Sequence, residues 1–528
     1  MDLSSFAGPF LPEILLFVGV LSIFLLDVLG VRRIEVTGAV AVIVTALALL
    51  FVVADLGFAP FAALATVPAG QVNSVGGSAP LYTFTTLGFV FQGIFLLAAF
   101  LVSLASLSRP SDERGAPIFF GLLLLATLGM TLVAIASDLI FLLLSIELTS
   151  VATYLLVAYT RKDVRALEAS MKMYIIGALS TTLSFFGASL LFGAYGTTNL
   201  YEIRAVAGAV GSPVLVLLGY GFLMAGLAFK ATLVPFHAWA VDVYDGAPTD
   251  VTAFLTGGSK KVGLFAFFLV FLGPVLFLAP GAGGSPFSGG TIDLGPIVQI
   301  TLSILAVVTM TVGNVLALLQ KEMKRMLAYS SISQAGYMLI GIAVGTSPAL
   351  AGATLQMFAH VFMKTGAFLV VAAVAALGVG PLIDDWKGLG TRRPLLGVAF
   401  GLMLLSLAGV PLTVGFVSKF VLFSSAVQAQ GYFVWLAVAG LLNSALSVFY
   451  YARVLKVMFF DPSASAPTPA GAVVGGSGPP ALPVGGLGYG RATAIALIAL
   501  AILVFGIYPQ MVLGPIQSAA QHFLAVGA

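Results

Sequence analysis

The chain has 528 residues, of which 60% are hydrophobic and only 8% are charged. A soluble domain carries about 25% charged residues, so most of the surface of this chain must face lipid. The formal net charge of +3 argues against a nucleic-acid-binding protein. Because the chain lacks cysteine, it cannot hold a disulfide, a thiolate zinc site or a Cys-ligated iron–sulfur cluster, and three histidines are too few to suggest a bis-histidine haem.

Fourteen apolar stretches are long enough to cross a bilayer, whose hydrocarbon core of about 30 Å requires roughly 20 helical residues. They lie near residues 10–30, 34–57, 81–108, 116–136, 138–160, 163–195, 212–241, 249–279, 295–319, 324–346, 349–378, 395–428, 431–459 and 491–514. The first is predicted to be a membrane helix rather than a cleavable signal, because no basic region precedes it. The composition therefore predicts an all-α polytopic membrane protein.

Basic residues between these stretches predict the orientation of the chain. If the first helix enters from outside, the loops on the inner side carry Arg32, Arg33, Arg109, Arg114, Arg161, Lys162, Arg165, Lys321, Lys324, Arg325, Lys387, Arg392, Arg393, Lys456 and Arg491. The outer side holds only Arg204. We therefore expect both termini on the outer side of the membrane. The composition, rich in Ala, Gly and Val, fits a bacterial chain, which would lie in the cell (plasma) membrane. Residues 460–490 are rich in Pro, Gly, Ala and Ser and are predicted to form a flexible loop before helix 14 and the C-terminus (491–528).

Several ionisable side chains fall inside the predicted helices, where each costs about 2.5–3.5 kcal/mol at the bilayer centre. They are Glu147, Lys172, Lys230, Lys260, Lys261, Lys364 and Lys419. Burial disfavours the charged form, so a buried lysine can release its proton near neutral pH, and a row of such groups joined by water can conduct protons. The alternative is snorkelling, in which a lysine near a helix end extends to the headgroups; it suits Lys172 best.

Sequence position distinguishes the members of this row. Lys260 and Lys261 point about 100° apart on a helix, so we expect only one of them, Lys260, to face the path. Glu147 is the only acid well inside a predicted helix, where it could pair with a buried lysine. His360 lies four residues before Lys364 and is expected to share its helix face.

Two of the charged helices contain a proline, which removes a backbone donor and frees the carbonyl four residues earlier. Pro235 and Pro411 thus predict breaks in helices 7 and 12, and breaks at membrane depth mark transport sites. Lys172 and Lys364 are 192 residues apart and Lys230 and Lys419 are 189 apart, by subtraction of their positions. These spacings predict two inverted five-helix repeats, over 116–279 (helices 4–8) and 295–459 (helices 9–13), after N-terminal helices 1–3 in residues 1–110.

Three motifs resemble the antiporter-like membrane subunits of respiratory complex I, over nearly the whole chain. They are FKATLVPFHAWAVDVYDGAPTDVTAFLTGGSKKVG (229–263), NVLALLQKEMKRMLAYSSISQAGYMLIG (314–341) and GVPLTVGFVSKF (409–420). Within this family the chain is most similar to subunit N of NADH-quinone oxidoreductase. Lys260 on helix 8, Lys419 on helix 12 and the short segment after helix 14 carry that closer likeness.

The resemblance implies a function and a set of residue roles. Glu147 and Lys230 match the input-side ion pair, Lys260 the central relay and Lys419 the distal site. Lys172 matches a further lysine of helix 6, His360 and Lys364 match the His/Lys pattern of helix 11, and His237 follows the PFH motif as a gate or as a packed aromatic neighbour. The resemblance also implies that no cofactor binds this chain, that FMN, iron–sulfur clusters and quinone belong to other subunits, and that K-, J- and M-like subunits are its membrane-arm partners.

Three other functions compete with this interpretation. A subunit of a Mrp-type cation/proton antiporter or of a membrane-bound hydrogenase would share the fold and the buried lysines, although the helix 8 lysine argues against it. A solute permease would need polar or aromatic groups converging on one pocket, whereas the buried set here is mainly lysines spread along several helices. A structural scaffold would leave the buried charges without a purpose.

Overall fold

The computed structural model describes residues 8–57, 64–65, 80–109, 115–160, 163–206, 213–272, 294–462 and 487–525. The first six long helices are α1 (Leu11–Val28), α2 (Ile34–Asp55), α3 (Thr86–Ser106), α4 (Ala116–Ala134), α5 (Leu139–Val157) and α6 (Val164–Tyr195). Polar side chains cap three of them, because the first backbone N–H groups of a helix lack partners within it. Thr85 accepts from Gly88 N before α3, Asp138 from Ile140 N and Phe141 N before α5, and Asp163 from Arg165 N before α6.

The remaining helices include two that are interrupted. They are α7a (Pro213–Ala231) and α7b (Ala238–Gly246), α8 (Thr249–Leu272), α9 (Leu294–Leu318), α10 (Met323–Val344), α11 (Ser347–Ala376), α12a (Pro394–Ala408) and α12b (Val414–Gln428), α13 (Phe433–Phe459), α14 (Tyr489–Ile507) and α15 (Gln510–Ala525). Both α8 and α11 contain π-helical turns, at Leu255–Ser259 and Phe268–Leu272 in α8 and at Val361–Thr365 in α11. Short helices at Leu200–Val206, Ile383–Trp386 and Leu389–Arg392 lie in the connections.

Thirteen of the described helices are long and apolar enough to cross a membrane, and α12a and α12b are shorter apolar helices. The prediction of an all-α polytopic membrane protein is therefore confirmed. Each of the thirteen coincides with one of the predicted stretches, and α12a and α12b together occupy the stretch predicted at 395–428. Charged loop residues Arg114, Arg161 and Lys162 lie outside the described residues, as do 463–486 of the predicted flexible loop.

The C-terminal stretch differs from the prediction. Instead of continuing to residue 514, α14 ends at Ile507, and α15 begins at Gln510. Proline disfavours helical backbone in the residue before it, and Tyr508, which precedes Pro509, has φ −124° and ψ 71°.

Burial separates the interior helices from the peripheral ones. In α8, α10 and α11, 94% of the residues of the apolar window are buried inside the chain, compared with 33% in α1, α2 and α6 and 28% in α14. The exposed apolar faces of the peripheral helices suit contact with lipid. Two of the three interior helices, α8 and α11, carry buried lysines, so the fold places those charges at its centre.

Candidate proton path

The break in α7 lies next to Lys230, the penultimate residue of α7a. After Ala231 the backbone turns at Thr232 (φ +59°), passes Pro235 and becomes helical again at Ala238. Side chains satisfy part of the freed backbone: Trp239 Nε1 donates to Phe229 O (3.3 Å), and Val234 N donates to Thr309 Oγ1 (3.1 Å). Irregular backbone of this kind is tolerated at membrane depth only when it is buried or faces water.

Glu147 and Lys230 line one small cavity between α5, α6 and α7a. Lys230 is 5% exposed, and its Nζ donates to Ser150 Oγ at 2.8 Å. Glu147 is half-buried and accepts a hydrogen bond from Thr181 Oγ1. The two groups form no direct ion pair, but the cavity volume of about 20 Å³ exceeds the roughly 10–15 Å³ that one water needs. A bridging water could therefore connect them.

The segment between the two parts of α7 carries His237, immediately before α7b. The side chain is half-buried, and its Nδ1 has no hydrogen-bond partner within the described residues. It lies close enough to Lys260 for their charges to interact. On α8, Gly263 packs directly on the backbone of Lys230 and Ala231, since a Cβ at Gly263 would lie 2.4 Å from Ala231 N. The Lys230 end of α7a is thus in contact with the helix that carries Lys260.

Two π-helical turns bring α8 and α11 together at the centre of the chain. Gly257 lies in the first of them, and a Cβ there would approach Thr365 Oγ1, in the π turn of α11, to 2.1 Å. Because a π turn adds a residue to the helical repeat, it changes the direction of the side chains that follow it. Both Lys260 (4% exposed) and Lys261 (1% exposed) are buried here, and the preference for Lys260 as the one that faces the path stays a prediction.

The central lysines have different hydrogen-bond partners. Lys260 Nζ donates to the backbone and hydroxyl oxygens of Ser331 in α10. Lys261 Nζ donates to Thr256 O (3.0 Å) and Gly257 O, and lies 3.3 Å from His360 Nδ1.

The other two ionisable side chains at the centre, His360 and Lys364, belong to α11. Lys364 Nζ donates to Ser330 Oγ of α10, whereas His360 faces Lys261 of α8. The two α11 side chains therefore meet different neighbouring helices.

Lys260, Lys261, His360 and Lys364 form a central cluster, and the described part of the chain gives it no acidic partner. Among the described residues, no carboxylate lies within ion-pair distance of Lys260, Lys261 or Lys364. Several unpaired cations buried together would repel one another and would each lose hydration. The cluster therefore favours a state in which few of its nitrogens are charged, and such a set can pass a proton along.

Lys419 lies at the break of α12, in the first turns of α12b. Its Nζ donates to Leu407 O (2.8 Å), Ala408 O (3.1 Å) and Ser444 Oγ (2.9 Å), which matches the three donors of an ammonium group. It also lies 5.0 Å from the centroid of the Tyr337 ring. An open cavity of about 350 Å³, lined mainly by apolar side chains of α12b and α13, adjoins it.

Buried amides connect the centre to Lys419. Gln334 follows Ser330 by one turn of α10, and its Nε2 donates to Leu407 O at 3.4 Å, the same carbonyl that Lys419 bonds. Gln334 Oε1 accepts from Gln356 Nε2 (2.7 Å), whose Oε1 accepts from Ser418 Oγ. The polar side chains thus run from Lys364 to Lys419 with no apolar gap larger than one helical turn.

Lys172 lies apart from this row. Its side chain is 43% exposed and pairs with Glu168 (2.8 Å) and with Asp242 of α7b (3.0 Å). Arg325 of α10 also contacts Asp242, at 3.4 Å. The structure therefore brings together Glu147 with Lys230 and the centre with Lys419, packs the backbone of Lys230 against α8, and leaves Lys172 in a surface ion-pair cluster.

Sequence reasoning missed several of these groups. Helical periodicity favours Lys260 over Lys261, and the only sequence feature that accompanies the π turn before them is the adjacent pair Gly257 and Gly258. The polar run YSSISQ of α10 contains Ser330, Ser331 and Gln334, and its density inside an apolar helix was a usable signal.

Comparison with known proteins identifies the family. A sequence profile described as "NADH:quinone oxidoreductase/Mrp antiporter, TM" matches residues 136–447, which is more than half of the chain. The chain belongs to this family. The matched residues include every member of the row from Glu147 to Lys419.

Individual members of the family show where the likeness is strongest. F(420)H(2) dehydrogenase subunit N of Methanosarcina mazei is 43% identical over 381 residues, covering 70% of this chain and 74% of the relative. NADH-quinone oxidoreductase subunit N of Trichlorobacter lovleyi is 43% identical over 378 residues, with coverage of 70% and 74%.

Solved structures share the fold over nearly the full length. A chain of respiratory complex I from Thermus thermophilus with bound aureothin superposes with a TM-score of 0.73 and 29% identity, covering 95% of this chain and 98% of that one. A chain of the Mrp complex from Dietzia sp. superposes with a TM-score of 0.80 but only 20% identity, covering 98% and 97%, so it supports the fold alone.

Proposed function

We propose that this chain is a proton-translocating membrane-arm subunit of an NADH:quinone oxidoreductase, corresponding to subunit N. The proton path runs from Glu147 and Lys230 through Lys260, Lys261, His360 and Lys364 to Lys419. The observation that carries the proposal is the central cluster of buried lysines, which has no carboxylate partner among the residues that the structure describes. Such a cluster is costly in a membrane unless protons move through it.

Each end of the path has its own chemistry. At the Lys230 end, the half-buried Glu147 and room for one water provide a place where a proton can enter the row or leave it. At the other end, Lys419 is fixed by three oxygens beside an open cavity. His237 lies directly after the break in α7, and its Nδ1 has no hydrogen-bond partner within the described residues, which suits a role in timing proton transfer between Lys230 and the centre.

Two inverted repeats, 116–279 and 295–459, would supply one half-path to each side of the membrane, with residues 1–110 as an N-terminal block. Both repeats contain an interrupted helix with a buried lysine, which supports the proposal. The correspondence is not perfect, because Lys230 precedes its helix break whereas Lys419 follows its own.

The redox chemistry of the complex belongs to other subunits in this proposal. FMN, iron–sulfur clusters and quinone would bind those subunits, and K-, J- and M-like membrane subunits would be the neighbours of this chain. The names of the bacterial relatives support an NADH-linked complex in the plasma membrane. The charge distribution between the helices supports N- and C-termini on the outer side. One relative is named as a subunit of F(420)H(2) dehydrogenase, so relatives of this chain are named for more than one electron donor.

The second candidate is a subunit of a Mrp-type cation/proton antiporter or membrane-bound hydrogenase. The shared fold favours it as much as it favours complex I. The relatives at 43% identity are all named as subunits N of redox complexes, which favours the first proposal.

Purification and reconstitution test the proposal. The tagged chain should co-purify with an assembly that oxidises NADH and reduces quinone, and vesicles containing that assembly should acidify during turnover. Lys230→Met and Lys419→Met should each abolish or sharply reduce acidification while the chain still assembles, with exposed Lys456→Met as the matched control. Co-purification with Mrp subunits would favour the second candidate, and full acidification by both buried-lysine variants would refute the path.

A further inference from the structure

A buried carboxyl lies outside the lysine row, in the N-terminal three helices. Glu13 is in the first turn of α1, and its side chain is 5% exposed. Gln92 of α3 is fully buried and donates from Nε2 to Glu13 Oε1 at 2.7 Å. The segments that lead into α1 and α3 are held together by Phe10, whose ring centroid lies 4.8 Å from that of Tyr82 and 5.0 Å from that of Phe84.

The hydrogen bonding of this pair is incomplete. Glu13 Oε2 and Gln92 Oε1 are both buried, and neither has a hydrogen-bond partner among the described residues. An ionised carboxylate and an amide oxygen can only accept hydrogen bonds. The nearby Thr131 hydroxyl donates its proton to Leu128 O (3.0 Å), so two buried acceptors would lack a donor. Turning the amide by 180° does not help, because the pair still contains one donating nitrogen and three accepting oxygens. Buried polar groups without partners are rare in folded proteins and need an explanation.

Within the described ranges, no basic side chain forms an ion pair with Glu13. The described ion pairs of the N-terminal block include Arg32 with Asp27, and none of them involves Glu13. A buried carboxylate without a cation is strongly disfavoured, and the group neutralises instead.

We propose that Glu13 and Gln92 form a proton-binding site, with the proton on Glu13 Oε2. The acid O–H supplies the missing donor, and Gln92 Oε1 is the acceptor on the amide that already bonds the other carboxyl oxygen. Acid and amide then face each other through two hydrogen bonds, N–H to O=C in one direction and O–H to O=C in the other. The neutral acid needs no counter-ion, which matches the surroundings.

The site is distinct from the lysine row but close to it. Ala98 lies six residues after Gln92 on α3, about 9 Å along the helix axis, and packs against the π turn of α8 near Gly257 and Gly258. Met130 of α4 packs against Gly258 as well. The proposal adds a proton-binding carboxyl to the N-terminal block and does not depend on the proposed function.

Infrared spectroscopy of the purified complex tests the proposal directly. A protonated carboxyl has a carbonyl stretch separate from the carboxylate bands, and this stretch shifts in D₂O. The difference spectrum between wild type and Glu13→Gln should show the loss of one acid carbonyl band per chain. Glu35→Gln is the matched control, since Glu35 is also in the first turn of its helix but is exposed, and it should remove only carboxylate bands.

Three results would overturn the proposal. Loss of carboxylate bands in Glu13→Gln would mean that Glu13 is ionised. An acid band that disappears when sodium is added would identify a site for a monovalent cation instead. If Glu13→Gln does not assemble, Gln92→Met provides the second test: the acid band should persist and move to higher frequency as its carbonyl loses an N–H donor, and an unmoved or absent band would contradict the site.

Discussion

Lys419 Nζ donates a 2.8 Å hydrogen bond to Leu407 O, a carbonyl without a helical partner because α12a ends at its C-cap Gly409 (φ +91°) and Pro411 has no N–H. In a regular helix the N–H of residue 411 would bond Leu407 O, but proline has none. The break in α12 therefore creates the acceptor that holds the distal lysine.

Restoring the missing N–H should disturb this lysine. In Pro411→Ala the restored backbone N–H can compete with Lys419 for Leu407 O, so we expect acidification of vesicles to fall several-fold relative to electron transfer. The ratio of protons moved to NADH oxidised measures the effect. Pro394→Ala is the control, because Pro394 is the first residue of α12a and frees no carbonyl within it. An unchanged ratio in Pro411→Ala would show that Lys419 does not need this acceptor.

Lys261 should matter as well as Lys260. It is buried beside His360 and bonds two carbonyls of the π turn, so Lys261→Met removes both a titratable nitrogen and a constraint on that turn. Lys261→Met should lower the initial rate of acidification. We expect this loss to be at least half as large as the loss in Lys260→Met. Lys387→Met, at a side chain 39% exposed, controls for loss of one positive charge. Wild-type rates in Lys261→Met would restore the simpler view in which Lys260 acts alone.

The contact between the two π turns leaves no room for a side chain at Gly257. Gly257→Ala should force α8 and α11 apart, because its Cβ would lie 2.1 Å from Thr365 Oγ1. Overpacking of this kind costs about 1–3 kcal/mol, measurable as a lower midpoint of thermal inactivation of the complex. Thr365→Ala removes the clashing oxygen, so the double variant should recover part of the loss. Strictly additive losses would mean that the two residues do not interact.

Asp250 holds together three parts of the chain. At the start of α8 it contacts Arg491 of α14 (3.3 Å) and Arg109 after α3 (3.6 Å), and all three side chains are largely buried. Asp250→Asn leaves two buried guanidinium groups without a counter-ion, and breaking such a pair costs about 3–5 kcal/mol. We expect little assembled complex in membranes by immunoblot. Asp384→Asn, at an aspartate 65% exposed, should assemble normally, and equal assembly of both variants would contradict this role.

Lys172→Met should have a mild effect on proton movement. Its ion pairs with Glu168 and Asp242 are partly exposed, and such pairs contribute about 0–1 kcal/mol. Acidification by reconstituted vesicles should therefore stay above half of the wild-type rate. Complete loss of acidification would place Lys172 in the path despite its exposure.

Several features of the chain followed from sequence because they depend on local composition. The lengths of apolar stretches predicted the membrane helices, since helical rise and bilayer thickness set the number of residues needed. Charge inside those stretches identified Lys230, Lys260 and Lys419 as buried, because lipid penalises charge wherever it lies along a helix. The end of α14 was misplaced by several residues because the effect of Pro509 on Tyr508 is local, whereas apolar composition continues past it.

The partners of those lysines required the tertiary structure. Helical periodicity relates side chains on one helix, and a π turn alters that relation without a distinct composition, so the contact of Lys261 with His360 was not foreseeable. The exposure of Lys172 depends on where its helix packs in the bundle, and the spacing of residues along the chain does not give that position. Sequence by itself determined which charges enter the membrane; packing between distant helices decided which of them meet, because hydrogen bonds act only over about 3 Å.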